Sequence, residues 1–178
     1  MSEIEQRAER VLARVPGWIW DGDSLPVPVE DIADSVFRLR VREVEDLTYA
    51  PGAPALEPGS SLSGLLLPGR GEIWVSGPEA REWPPRRRFT IGHELGHWCM
   101  HRTDHVASIY CRSASVDPKE ERPQRPLAER EADAFAAALL MPARLLREHY
   151  RRNRDFHHLC RLFGASGASM GRRLHAVI

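Results

Sequence analysis

Arg88-Phe89-Thr90-Ile91-Gly92-His93-Glu94-Leu95-Gly96-His97-Trp98-Cys99-Met100-His101 is the stretch around which the rest of the chain is organised. It contains His93-Glu94-x-x-His97. On a helix, residues four apart share a face, with Cβ atoms about 5–6 Å apart. Two imidazoles so placed can converge on one zinc ion at Zn–N distances of about 2.0–2.1 Å. Glu94 projects to the side of that face, where its carboxylate can reach a water on the metal without ligating it.

Gly92 and Gly96 support this reading. Glycine costs a helix interior about 1 kcal/mol relative to alanine, and two occur within one helix. Gly96 lies three residues after His93, so a missing side chain there lets another element approach closely. Phe89, Ile91, Leu95, Trp98 and Met100 are apolar, so the helix is expected to be deeply buried. A buried helix that carries His, Glu and His needs a reason for those polar groups. Metal-assisted hydrolysis is one: the metal acidifies water, and the adjacent carboxylate takes its proton as a carbonyl is attacked. The pattern on a helix is the metallopeptidase signature; the plainer alternative is a surface helix with two scattered histidines.

The chain has 178 residues, enough for one domain or a domain with a small appendage, and enough to bury a core without disulfides. The formal net charge is zero, so no global field steers it to nucleic acid or membrane. Cys99, Cys111 and Cys160 are an odd, widely spaced set that fits a reducing compartment better than a secreted disulfide scaffold. The charged start Met1-Ser2-Glu3-Ile4-Glu5-Gln6-Arg7 is unlike a signal peptide, and no apolar run is long enough to cross a membrane. A cytoplasmic protein is expected.

Ile4, Ala8, Val11, Leu12 and Val15 recur at helical spacing over 3–15, with Ser2 and Glu5 as a capping box and Pro16-Gly17 as the stop. Trp18 and Trp20 are expected in the core. A short helix follows at 27–35, then a strand at 36–42, where apolar and basic residues alternate. Prolines and glycines predict a loop over 46–63. Leu65-Leu66-Leu67 and Glu72-Ile73-Trp74-Val75 form a hairpin about Pro68-Gly69-Arg70-Gly71. The three strands make a small sheet ahead of the metal helix, which begins near Pro84-Pro85. Residues 102–126 read as irregular, a lid or an ordered surface loop. Ala- and Leu-rich residues 127–140 form a second strong helix, and residues 144–150 a third. Five arginines between Arg144 and Arg154 read as a solvated face in preference to a nucleic-acid contact. Two short helices about Gly164, the second capped by Ser166, resemble a helix-turn-helix.

Catalytic zinc usually takes three protein ligands, and the helix at 127–140 offers Glu129, Glu131 and Asp133. At about 100° per residue, Ala128, Ala132, Phe135, Ala136 and Leu139 define its inward face. Glu129 falls nearer the centre of that face than the other two, so it is assigned as the third ligand with His93 and His97. Asp133, four residues on, is assigned to orient a ligating His through its other ring nitrogen. Glu131 suits an ordinary exposed helix charge. His101, His105 and Tyr110 are candidates to stabilise an oxyanion.

Both blocks, residues 88–97 and Glu129-x-x-Ala132-Asp133-x-Phe135-Ala136-Ala137-x-Leu139-Leu140-Met141-Pro142, resemble the ImmA/IrrE metallopeptidases over roughly residues 26–175. Asp133 stands where that family commonly has Asn, a change that still permits a hydrogen bond to a ligand His. The resemblance implies an α+β, zincin-like fold, mostly helical, with a gluzincin-like zinc site and Glu94 as general base. It also implies cleavage of helix-turn-helix repressors of phage, mobile-element or stress genes. The expected layout is a metallopeptidase domain over 1–152 and a helix-turn-helix-like subdomain over 153–178. The expected partner is such a repressor, held by β-augmentation at the hairpin edge, residues 65–75, beneath a lid at 102–126. Membrane association and direct nucleic-acid binding are not expected. The alternative function is a catalytically silent zinc-containing module that binds a repressor or DNA.

Overall fold

The structure is a computed structural model that describes residues 2–53, 55–56, 60–101, 109–113 and 126–178, with Ser60 and residues 109–113 described by backbone alone. In chain order the elements are α1 (Glu3–Leu12), α2 (Val29–Phe37), β1 (Arg40–Val44), β2 (Ser60–Leu67), β3 (Glu72–Ser76), α3 (Gly77–Glu82), α4 (Pro84–Met100), β4 (Ile109–Ser113), α5 (Leu127–Leu140), α6 (Ala143–Arg152), α7 (Phe156–Phe163) and α8 (Gly167–Val177). The architecture is the expected α+β one, mostly helical, with three strands ahead of the metal helix.

The sheet has the order β1-β3-β2-β4. β1 runs parallel to β3, whereas β2 pairs antiparallel with β3 and with β4. A 3₁₀ turn, Pro68–Arg70, closes the hairpin, and Gly71 adopts φ 63° at its end. β4 falls inside the stretch expected to be irregular, and its proline-poor segment joins the sheet outside β2. The proposed docking edge at 65–75 therefore does not exist: β2 and β3 are both interior, and among the described residues the outer strands are β1 and β4. The remainder of the expected lid lies outside the described residues.

The expected strand at 36–42 is replaced by the end of α2 and the start of β1. Val29, Ile32, Ala33, Val36 and Phe37 continue one helical stripe onto the core. Arg38, at φ 56°, then closes the helix in the left-handed region. The alternation that suggested a strand comes from residues on both sides of this helix end. The expected loop over 46–63 ends early, since β2 already begins at Ser60. Trp20 is buried, but Trp18 is 82% exposed, contrary to expectation; Pro16-Gly17 turns it outward while the Trp20 indole donates to the Ser24 carbonyl at 2.7 Å.

At the N-terminus Ser2 caps α1 by accepting from the Glu5 amide. Glu5 does not complete a capping box. Its carboxylate instead receives both terminal nitrogens of Arg173 on α8, whose Nε donates to the Met141 carbonyl at 2.9 Å. This buried guanidinium ties α1, the α5–α6 junction and α8 together. Leu159, Phe163 and Met170 of α7 and α8 belong to the same apolar core as Leu95, Phe135 and Leu139. Gly164 ends α7 at φ 60°, and Ser166 caps α8 by accepting from the Ser169 amide.

Two glycines decide how closely α4 is packed. A Cβ at Gly96 would lie 2.9 Å from the Ala132 Cα and 3.0 Å from its carbonyl oxygen, so α4 and α5 touch backbone to backbone. At Gly92 the nearest atom, the Ala136 Cβ, would be 3.3 Å away. The two helices run antiparallel, with Gly96 beside Ala132 and Gly92 beside Ala136 and Leu140. On another face of α4, an irregularity between Leu62 and Gly64 lets β2 press on Thr90, whose Cγ2 occupies the space of a Gly64 Cβ. Gly96→Ala should therefore lower stability by about 1–3 kcal/mol through overpacking, despite the helix propensity it gains. Denaturant unfolding checks this, with Gly92→Ala as the milder comparison; a Gly96→Ala protein more stable than wild type would contradict the packing.

Candidate metal centre

α4 carries its polar residues inward because the helix is enclosed on two sides, by α5 and by β2. His93 and Glu94 are fully buried and His97 nearly so. His93 and His97 lie one turn apart, and their Nε2 atoms approach to 3.0 Å. α5 delivers Glu129 to the same point: its Oε1 is 3.2 Å from His97 Nε2 and its Oε2 is 3.4 Å from His93 Nε2. A tetrahedral ion with bonds of about 2.0–2.1 Å spaces its donor atoms by about 3.3 Å. The two imidazoles and the carboxylate thus have the spacing and donor chemistry of a zinc site. These three residues form a group able to hold a metal ion.

The surrounding groups address the other ring nitrogens. Asp133 accepts from His93 Nδ1 at 2.9 Å, as the helical phase of α5 suggested. Glu131 is not an ordinary exposed charge: its Oε2 lies 2.8 Å from His101 Nε2. His101 Nδ1 in turn meets His97 Nδ1 at 3.3 Å. His101 therefore faces the back of a ligating imidazole, not the place of a developing oxyanion. The side chains of His105 and Tyr110 lie outside the described residues.

Burial and charge act against each other here. Burial pushes Glu94 up to about 8, with the negative charge of Glu129 adding to it and His93 opposing it. The Leu66 amide lies close enough to Glu94 to oppose this rise, although among the described residues neither carboxylate oxygen has a close hydrogen-bond partner. Burial pulls His93 down, but Asp133, Glu129 and Glu94 outweigh it and raise the ring to about 9. For Glu129, burial is again the largest influence, yet hydrogen bonds from His93 and His97 hold its carboxyl far below the ordinary range. His97 falls below its usual value through burial, which Glu129 only partly offsets. The pocket therefore favours protons on His93 and on Glu94 but not on His97, and a divalent cation would supply the same compensation.

The sequence assigned His93, Glu94, His97, Glu129 and Asp133 to one site, and the fold brings all five together. It named His101 only as an oxyanion candidate and left Glu131 as an exposed charge, although the spacing His93-x-x-x-His97-x-x-x-His101 continues one stripe of α4. It also missed Gly64 and Thr90, which seat β2 beside Glu94; a Gly64 Cβ would lie 3.5 Å from Glu94 Oε1.

No helix among the described residues is long and apolar enough to cross a membrane. No curated protein matches the sequence. Among solved structures, a Mycobacterium tuberculosis transcriptional regulator has a similar fold, with a TM-score of 0.55 and 19% identity over 98% of this chain. The chain spans 47% of that protein's length, so the likeness concerns the fold alone. The family model described as the IrrE N-terminal-like domain matches residues 79–175, which include α4, α5 and every residue of the site. On that match the chain belongs to the Peptidase_M78 family, and its buried His93, His97 and Glu129 form a group that could hold a metal ion.

Proposed function

We propose that this protein is a zinc-dependent endopeptidase that cuts a helix-turn-helix transcriptional repressor at a single site. The observation that carries the chemistry is Glu94, fully buried beside His93, His97 and Glu129 with both oxygens unpartnered among the described residues. A buried carboxylate in that condition is costly; a reacting water beside the metal gives it a partner. Zinc held by His93, His97 and Glu129 would supply Lewis acidity, polarising the scissile carbonyl and acidifying water. Glu94, ionised beside the bound cation, would take the water's proton and later deliver it to the leaving amine. Asp133 holds the proton of His93 on Nδ1 and so leaves Nε2 free to ligate. Enclosure by β2 and α5 keeps bulk water from competing with these contacts.

The repressor as substrate rests on the family resemblance and on restraint. A peptidase that cut any exposed loop would damage its own cell, so extra docking contacts are expected. With β2 and β3 interior, β1 and β4 are the outer strands among the described residues, and an extended substrate would pair with one of them. The Mycobacterium neighbour, described as a transcriptional regulator, favours a regulatory role and keeps a second reading in play: a silent zinc-containing module that binds a repressor. The basic stretch on α6 supports DNA binding poorly. Arg144 pairs with Asp23 and Arg152 with Glu148, while Arg147 donates to the Val177 carbonyl.

Glu94→Gln separates the two readings. It should retain zinc and repressor binding while cleavage falls by about 10²–10⁴-fold, the usual contribution of a positioned general base. Co-expression with a repressor encoded nearby, followed by mass analysis of fragments, reads the result. One cut by wild type and none by the variant supports the endopeptidase. Identical behaviour in every assay favours the module, and rapid digestion of casein without preference for the repressor contradicts the restricted substrate.

Metal removal should also change the response to pH. Folded Glu94 holds its proton to about 8 and folded His93 to about 9, above their ordinary values of 4.5 and 6.5. The unfolded chain releases both protons earlier, so the folded state binds more protons in between and stability falls as pH rises. His97 and Glu129 have the opposite sign, but their contributions are complete by about pH 6.5. Chelated protein should therefore lose thermal stability from pH 6.5 to 9, and zinc-loaded protein should lose much less. A chelated protein that becomes more stable over this range would contradict the electrostatic picture.

A further inference from the structure

We infer that His101 and Glu131 form a positioning relay that holds the His97 ring with its Nε2 lone pair turned to the metal. This rests on the zinc reading above and adds two residues to it. The two ligating imidazoles are supported differently. His93 gives its Nδ1 proton directly to the Asp133 carboxylate at 2.9 Å. His97 has a second imidazole behind it, His101 at 3.3 Å, and the carboxylate of Glu131 beyond that at 2.8 Å.

The hydrogen bonding of the chain is self-consistent in one direction. An ionised carboxylate only accepts, so His101 Nε2 donates to Glu131. With one ring proton, placed on Nε2, His101 has a lone pair on Nδ1 and accepts there from His97 Nδ1. With its proton on Nδ1, His97 has a free lone pair on Nε2, the atom 3.0 Å from His93 Nε2 and 3.2 Å from Glu129. Reversing the His101 tautomer would set two N–H groups against each other and leave Glu131 without its donor. The rings of His97 and His101 are tilted by 54° with centroids 5.3 Å apart, an edge approach and not a stack.

Local structure keeps both relay residues in place. His101 caps α4 and its amide donates to the His97 carbonyl at 2.9 Å. Helical side chains lean toward their own N-terminus. Glu131 therefore reaches toward the start of α5, and the antiparallel packing places the end of α4 there. The Gly96–Ala132 contact brings the two backbones close enough for the pair to meet.

The test is zinc affinity of the full chain, measured by competition with a chromophoric chelator, together with the visible spectrum of the Co(II)-substituted protein. Outer partners of a ligating His typically contribute 10–100-fold to metal affinity. His101→Phe should weaken zinc by about 10–100-fold and change the Co(II) spectrum, with the thermal midpoint of the metal-free protein near that of wild type. His101→Asn places an amide oxygen close to the lost Nδ1 acceptor and should recover part of the affinity. Glu131→Leu should weaken zinc, and Glu131→Gln, which keeps an acceptor, should do so less. Zinc binding by His101→Phe as tight as wild type would overturn the relay. So would a loss that His101→Asn does not recover, which would assign the effect to packing. Tight zinc binding with no cleavage of any repressor would remove the proposed function and leave the relay standing. Failure of wild type to bind zinc would remove both.

Discussion

The close contact between α4 and α5 is the constraint on which the rest of the structure depends. Gly96 faces Ala132 where any side chain would collide with backbone, and Gly92 faces Ala136 one turn earlier. That proximity lets a Glu on one helix reach two His on the other with no loop between them. The apolar residues of both helices, Ile91, Leu95, Phe135 and Leu139, fill the flanks and keep the contact dry. The ligand set is therefore carried by two rigid, mutually buried elements, the arrangement that holds metal ligands in place most tightly. Glu129 at 17% side-chain exposure is the most open of the three residues that could hold a metal, so the group faces outward along the carboxylate side.

The same enclosure creates the electrostatic problem that the site solves. Two imidazoles and two carboxylates lie within one dry pocket, and burial is the largest influence on each. Glu129 and His93 compensate each other by direct contact, and Asp133 adds to this from the outer side. Glu94 has no such partner among the described residues and stays poised near neutrality. Glu94 and Glu129 are thus separated by environment: one exchanges a proton, the other is held ionised.

Much of the site was legible because it is written in local periodicity. His93, Glu94 and His97 follow from spacing within one helix, and Glu129 and Asp133 from the phase of another. His101–Glu131 was not legible, because the pair depends on the antiparallel offset of two helices separated by a stretch with no regular pattern. Glu131 alone looks like any solvent-facing charge. The strand expected at 36–42 failed for a related reason: Arg38 ends α2 in the left-handed region, and a pattern spanning a helix end mimics alternation. Ser63 and Gly64 likewise gave no local sign that β2 would be shaped to fit Thr90. Trp18 shows the limit of composition, since a large aromatic beside a turn can face either way, and here its neighbour Trp20 takes the core position.

Extended X-ray absorption fine structure at the zinc edge, on protein purified with zinc, tests the metal centre most directly. The account predicts two imidazole nitrogens at about 2.0–2.1 Å together with oxygen, and the loss of a protein oxygen ligand in Glu129→Ala with both imidazoles retained. A sulfur shell at about 2.3 Å, a single imidazole, or a spectrum unchanged by Glu129→Ala would contradict it.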